Sequence, residues 1–151
     1  MTICTIKQTN ELTSKEVIDI MKARTTVFVV EQNCPYQEVD DDDYNDWHVC
    51  LLAGNEDDTT NLAAYSRIID KGDYVTFGRV LVVKKYRKNG LGRELIKKTL
   101  NEIKNRFPSK TIKIQAQSYL KDFYGSFGFE QISDIYLEDG IPHMDMILKT
   151  T

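Results

Sequence analysis

The run Val80-Leu81-Val82-Val83-Lys84-Lys85-Tyr86-Arg87-Lys88-Asn89-Gly90-Leu91-Gly92-Arg93 constrains this chain more than any other segment. Four apolar residues in succession, without the alternation of a half-solvated strand, predict a strand buried on both faces and central in a sheet. From Gly90 the period changes. Leu91, Leu95, Ile96, Leu100, Ile103 and Phe107 recur at helical spacing opposite Arg93, Lys97 and Lys104, so Gly90–Phe107 reads as an amphipathic helix stopped by Pro108. A basic turn with two glycines joins strand to helix. A helix N-terminus offers free N–H donors and a partial positive charge. Glycine lets backbone approach a ligand without a Cβ in the way, and nearby Lys or Arg add charge. These features suit a phosphate or pyrophosphate. The turn has neither the Lys-Ser/Thr of a Walker loop nor a third glycine of the dinucleotide fingerprint. On its own, Gly-x-Gly is also compatible with an ordinary strand-to-helix turn.

The remaining elements frame this unit. Thr2–Lys7 reads as a strand, and Val17, Ile18, Ile20, Met21 and Val27 form a helical stripe opened by Ser14 and Glu16–Asp19. The β-branched stretch Thr25–Val30 has poorer helix propensity, which blurs that helix end. Asn33–Trp47 is a polar loop with an acidic run, Asp40–Asp43, expected to be solvated rather than to clamp a substrate. Trp47–Ala53 and Leu62–Ile69 are strands joined by a hairpin-like Gly54–Asn61, and Tyr74–Val83 follows. Thr111–Ala116 is a strand, Leu120–Phe127 a short helix, and Phe129–Leu137 and His143–Leu148 closing strands. With no repeat or low-complexity linker, residues 1–151 read as one domain. Its expected class is α/β (α+β), a mixed, mostly antiparallel sheet flanked by helices.

Composition narrows function. A net charge of −3 argues against a dedicated nucleic-acid binder, although Lys and Arg gather in Lys84–Arg106 and suit a small anionic ligand. No apolar run reaches membrane-spanning length and the N-terminus lacks a signal-peptide pattern, so a cytoplasmic location is expected. Cys4, Cys34 and Cys50 have no Cys-x-x-Cys spacing. They read as small buried apolar groups rather than disulfides or, with His48, an irregular zinc set, and no metal is expected.

Arg87-x-x-Gly90-x-Gly92 after Val80-Leu81-Val82 resembles the acetyl-CoA signature of the GNAT superfamily of N-acetyltransferases. A second stretch, Gln117-Ser118-Tyr119-Leu120-Lys121-Asp122-Phe123-Tyr124-Gly125-Ser126-Phe127-Gly128-Phe129, resembles that family's later motif, with Gln117 where Asn is frequent. The pattern Arg24-x-x-Val27-Phe28-Val29-Val30-Glu31-Gln32-x-Cys34-Pro35-Tyr36, then Glu38-x-Asp40-x-x-Asp43 and His48, with the ending Tyr136-Leu137-Glu138-Asp139-Gly140-Ile141-Pro142-His143, is similar to its ElaA-like subgroup. The resemblance implies acetyl-CoA as acetyl donor and a sheet opened at a bulge near Val82. Backbone of Val80, Leu81 and Val82 would pair with the pantetheine arm. The turn from Arg87 and Lys88 through Asn89, Gly90, Leu91 and Gly92 to Arg93 would receive the pyrophosphate. Gln117 would lie near the cofactor and Tyr124 near its sulfur. A phenol there can protonate a departing thiolate, although a tyrosine in this pattern is also a common core residue.

An amine acceptor, small molecule or peptide, is implied but not specified. Glu31 is the first candidate to take its proton, then His48 and His143. Each has a structural alternative as a helix-end carboxylate, a strand histidine or a turn histidine. Arg24 and Arg79 suit either a substrate carboxylate or structural ion pairs. Arg24, Phe28, Glu38, Asp40, Asp43 and Arg67 are also similar to the arrangement in acyl-homoserine-lactone synthases. A non-catalytic acetyl-CoA-binding module and a basic-turn nucleotide binder are the other rivals. Strands at the C-terminal end allow a homodimer.

Overall fold

A computed structural model describes residues 2–54 and 60–149. Among these, eight strands share one sheet: β1 (Thr2–Gln8), β2 (Trp47–Gly54), β3 (Thr60–Asp70), β4 (Tyr74–Val82), β5 (Thr111–Gln117), β6 (Glu130–Gln131), β7 (Tyr136–Glu138) and β8 (Ile141–Leu148). The spatial order is β1-β2-β3-β4-β5-β8-β6, with β7 also on β8. Every pairing is antiparallel except β4 with β5, giving the mixed, mostly antiparallel sheet that was expected. The expected connection Gly54–Asn61 lies largely outside the described residues.

Helices cover both faces. Helix α1 (Ser14–Arg24) starts one residue earlier in capping than Ser14 suggested. Thr13 Oγ1 accepts from Glu16 N at 3.1 Å and Glu16 Oε1 accepts from Thr13 N at 2.9 Å. The β-branched stretch does not end the helix; Thr25–Glu31 continues it as a wider π-helical segment. Ile20, Val27 and Phe28 from this arm pack with Cys50, Tyr65 and Leu81 on one sheet face. Helix α2 (Leu91–Arg106) lays Leu95, Ile96, Leu100 and Ile103 on the other, against Val49, Leu51, Ile68, Val75 and Phe77. Neighbours Val49, Cys50 and Leu51 thus enter opposite cores, which explains the unalternating apolar text of β2.

Two closing elements differ from the sequence reading. Helix α3 spans only Lys121–Gly125, preceded by a tight turn at Ser118–Leu120. The single strand expected over Phe129–Leu137 is broken into β6 and β7. At the break Ser133 Oγ accepts from Asp145 N at 2.8 Å, so a side chain replaces the strand's backbone acceptor.

The sheet changes register where the site forms. Arg67 faces Gly78 but Tyr65 faces Leu81, so two steps on β3 match three on β4. The extra residue is a β-bulge, and Arg79 within it has φ of 51°, a conformation that costs a non-glycine residue energy. Val75 and Phe77 point to the α2 side; past the bulge Leu81 points to the α1 side, and Val80 and Val82 return to the α2 side. Beyond two parallel rungs, Tyr74–Thr111 and Val75–Ile112, β4 and β5 part. Val80 and Val82 are therefore only half-buried, not sealed on both faces as their sequence suggested.

Candidate active site

The parted strands open a cleft of about 1080 Å³, bounded by β4, β5, the π-helical arm and the β7–β8 hairpin. Its β4 wall has a defined polarity. Val83 N–H donates to Ala63 O on β3 at 2.8 Å. The carbonyl of the same trans peptide, Val82 C=O, must point the opposite way, into the split. There it accepts from Arg87 Nε at 2.8 Å, and Arg87 Nη2 reaches Glu31 Oε1 at 2.7 Å. Val80, Leu81, Val82, Arg87, Glu31, Gln117, Tyr124 and His143 all line this one space.

The turn into α2 is built for close approach. Lys84–Tyr86 make one tight turn, with Tyr86 N–H donating to Val83 O at 2.8 Å. Lys88 and Gly90 take left-handed φ values of 70° and 74°. Gly90 occupies the cap position and no side chain caps α2, so the first-turn N–H groups at Leu91, Gly92 and Arg93 lack a side-chain acceptor. A Cβ on Gly92 would sit 3.9 Å from Phe123 Cζ and 4.0 Å from Val82 Cγ2, which places the helix start against both walls of the split. Lys88 is exposed, while Asn89 Nδ2 donates to Tyr86 O at 3.2 Å. The Arg93 side chain turns away, bonding Ser126 Oγ at 3.1 Å and lying over Phe127. Only its backbone N–H belongs to the first turn.

Tyr124 is buried among Phe77, Phe123 and Phe129 at the cleft wall. Burial raises its phenol above the usual tyrosine value, so it stays protonated at neutral pH. Gln117 ends β5 opposite His143 on β8. The His143 ring stacks on Tyr136, and its Nδ1–H donates to Ile141 O at 2.7 Å. In the neutral ring this makes Nε2 the acceptor.

His48 corrects the sequence reading. It is buried in β2 and does not line the cleft. Thr9 hydroxyl donates to Asp43 O at 2.6 Å, so His48 Nε2–H must donate to Thr9 Oγ1 at 2.7 Å. Nδ1 then accepts from Tyr65 O–H at 2.6 Å. Both ring nitrogens are engaged, and burial lowers the imidazole pKa to about 4. This chain of donors ties the acidic loop to the sheet. Neither metal nor substrate can use that ring without breaking it.

Asp40–Asp43 is corrected as well. Asp41 and Asp42 are exposed or half-exposed and Asp40 is half-buried, with Asp40 and Asp42 at the cleft wall, but Asp43 is buried. Arg24, fully buried, bonds Glu38 at 2.7 and 2.9 Å and Asp43 at 2.6 and 2.9 Å. Arg67 takes Asp40 at 2.7 and 2.9 Å and Asp43 at 3.0 Å, and Arg79 takes Glu38. Three guanidiniums and their carboxylates thus form one network, which answers the choice for Arg24 and Arg79 in favour of ion pairs. A signal was present. Arg24 falls on the apolar stripe of Val17, Ile20, Met21, Val27 and Phe28, where a charge must find buried partners. Asp46 was missed altogether; buried beside Arg67 at 3.4 Å, its Oδ2 has no hydrogen-bond partner.

The cysteines need no ligand or disulfide role. Cys50 is buried, and Cys34 Sγ–H donates to Asp139 O at 3.4 Å, pinning the arm to the β7–β8 turn. Among the described residues no His/Cys/Asp/Glu group is placed to hold a metal ion, and no helix is long and apolar enough to cross a membrane. An acyl-CoA, with a diphosphate and an amide-bearing arm, fits what is present: an uncapped helix start beside an outward-facing strand edge.

Comparison with known proteins agrees. Residues 11–150 match the family described as acetyltransferase (GNAT) domain. A UPF0039 protein of Schizosaccharomyces pombe is 45% identical over 145 residues, 95% of this chain and 94% of that one. Protein ElaA of Escherichia coli is 39% identical over 91% of this chain and 90% of its own, and its crystal structure superposes with a TM-score of 0.88 over 97% and 99%. An acyl-CoA N-acyltransferase from Pseudomonas aeruginosa superposes with a TM-score of 0.89 at 35% identity, covering 97% of this chain and 99% of that one. A CoA-dependent acyl-homoserine lactone synthase superposes at 0.77 with 13% identity over 99% and 83%, a likeness of fold alone.

Proposed function

Since the chain belongs to the GNAT acetyltransferase family, we propose that it transfers an acetyl group from acetyl-CoA to a primary amine of a small molecule or peptide. The observation that carries this reading is a cleft lined by the outward Val82 carbonyl and the buried Tyr124 phenol, with the uncapped α2 N-terminus against its Val82 and Phe123 walls. Backbone N–H groups from Lys88 to Arg93 receive the diphosphate, and the open edge of Val80–Val82 pairs with the pantetheine arm.

The residues divide the chemistry. Glu31 or His143 Nε2 takes a proton from the acceptor ammonium, and the freed amine attacks the thioester carbonyl carbon. The N–C bond forms, the attacking nitrogen gives its second proton to solvent, and the C–S bond breaks. Backbone N–H near Val82 steadies the charge on oxygen, and Tyr124 O–H gives its proton to the departing sulfur. Tyr124 is reprotonated through solvent by the proton the base accepted, so the enzyme returns unchanged. The aromatic packing around Tyr124 keeps its hydroxyl in one place.

A thiol-release screen of an amine library with acetyl-CoA tests this. The expected result is amine-dependent release that is lost in Gly92→Asp, whose Cβ makes only ordinary contacts at 3.9 and 4.0 Å and whose carboxylate adds negative charge at the α2 start. A folded protein that binds acetyl-CoA yet releases no thiol with any amine would instead be a non-catalytic binding module.

A further inference from the structure

We propose that Arg87 is a donor-sensing positioning residue that occupies Glu31 until acetyl-CoA binds; this rests on the function proposed above. The guanidinium makes two contacts, and each is one the donor would compete for. Its Nε fills the Val82 carbonyl, the group the bulge and the parting of β4 from β5 turn outward. An amide N–H of the donor's arm laid along this edge takes the same acceptor. Its Nη2 holds Glu31, from the arm across the cleft. Arg87 also stands one residue before Lys88, at the turn whose backbone faces the diphosphate. A guanidinium prefers a phosphate's paired oxygens to a single carboxylate oxygen held at the protein surface.

The Arg87–Glu31 pair is suited to exchange because it is weak. The two side chains keep 38% and 29% of their accessibility, unlike the Arg24–Glu38 pair at 0% and 5%. When the donor draws Arg87 to its phosphates, Glu31 is left at the cleft wall with its oxygens available to the acceptor ammonium. Glu31 becomes available only when the donor's diphosphate and arm are in place. Lone acceptor therefore meets a Glu31 that is still paired with Arg87.

Calorimetric titration of acetyl-CoA into the wild type, Glu31→Gln, Arg87→Met and the double variant tests the coupling. Removing Glu31 removes the competitor for Arg87, so donor affinity should rise, by about 1.5- to 5-fold for an exposed pair. Arg87→Met should weaken donor binding, and adding Glu31→Gln to it should then change nothing. Unchanged or weaker binding by Glu31→Gln overturns the proposal. So does a tightening that persists in the Arg87→Met background. If the folded wild type binds no acetyl-CoA at all, the function proposed above fails and takes this inference with it, an outcome distinct from binding without coupling.

Discussion

Replacing Arg24 by Met is the sharpest test of the buried network. The side chain is fully buried and makes five hydrogen bonds, to the Glu38 carboxylate and carbonyl and to the Asp43 carboxylate. Met roughly preserves its volume and packing, so the change is mainly electrostatic. Removing one member of a buried ion network costs about 3–5 kcal/mol, because the partners stay buried without compensation. Here Glu38 retains Arg79, and Asp43 retains Arg67 and the Asp40 N–H, which places the expected loss near the lower bound. That is about 3 kcal/mol, or about 6–12 °C in Tm for a domain of this size. Urea unfolding followed by circular dichroism should show a lower midpoint at unchanged slope. A second readout is acid titration. Burial pushes the Asp43 carboxyl up, but the Arg24 hydrogen bonds, the Asp40 N–H and the Arg24 and Arg67 charges together outweigh it and hold the pKa at about 2, below the ordinary 3.8. Such a depressed carboxyl contributes stability above pH 3.8 that fades as pH falls through 2, worth about 2 kcal/mol, and the variant should lose much of it. A loss under about 1 kcal/mol would refute the reasoning and return these acids to solvent.

Tyr124→Phe should lower kcat by about 100-fold or more while acetyl-CoA affinity stays within a factor of two, measured by thiol release and calorimetry. Unaltered kcat would remove Tyr124 from the chemistry. His48 and Asp46 should pull pH stability in opposite directions. The lowered His48 pKa, about 4 against 6.5 unfolded, gives stability that is full above 6.5 and lost toward 4. Burial raises the Asp46 carboxyl to about 7, giving stability that is full below 3.8 and lost toward 7. Between pH 4 and 6.5 the two slopes oppose. His48→Gln should therefore be more stable at the acid end and Asp46→Asn at the neutral end, each by up to about 1.4 kcal/mol per pH unit. Parallel chemical-denaturation curves for both variants would contradict the assignment.

What could be read from the chain was what depends on neighbours in sequence. Helix α2 and its basic turn follow from local period and glycine placement, and the structure puts them within a residue of expectation. The apolar text of Val80–Val83 correctly predicts a central strand, but not that half of it borders a cleft. That exposure depends on where β5 leaves, a tertiary event. The bulge at Arg79 is equally silent, because register is a relation between two strands. Glu31 and His143 line one cleft, whereas His48, chosen like His143 for its titration range, is buried in β2, because the sequence does not say which strand histidine faces the opening. The acidic run was misread because four aspartates in a row look solvated until Arg67 and Arg24, distant in sequence, are seen to fold onto two of them.

The two rungs between β4 and β5 have a mechanical consequence. The sheet behaves as two plates stitched at one corner, each stiffened by its own antiparallel ladders. Motion between them widens or narrows the gap at Val82 and Gln117 without breaking a ladder bond in either plate. On the proposed function, the compliance of this stitch is expected to set acceptor tolerance. Substitutions at Tyr74, Val75, Thr111 or Ile112, remote from every reacting atom, should broaden or restrict the range of amines accepted.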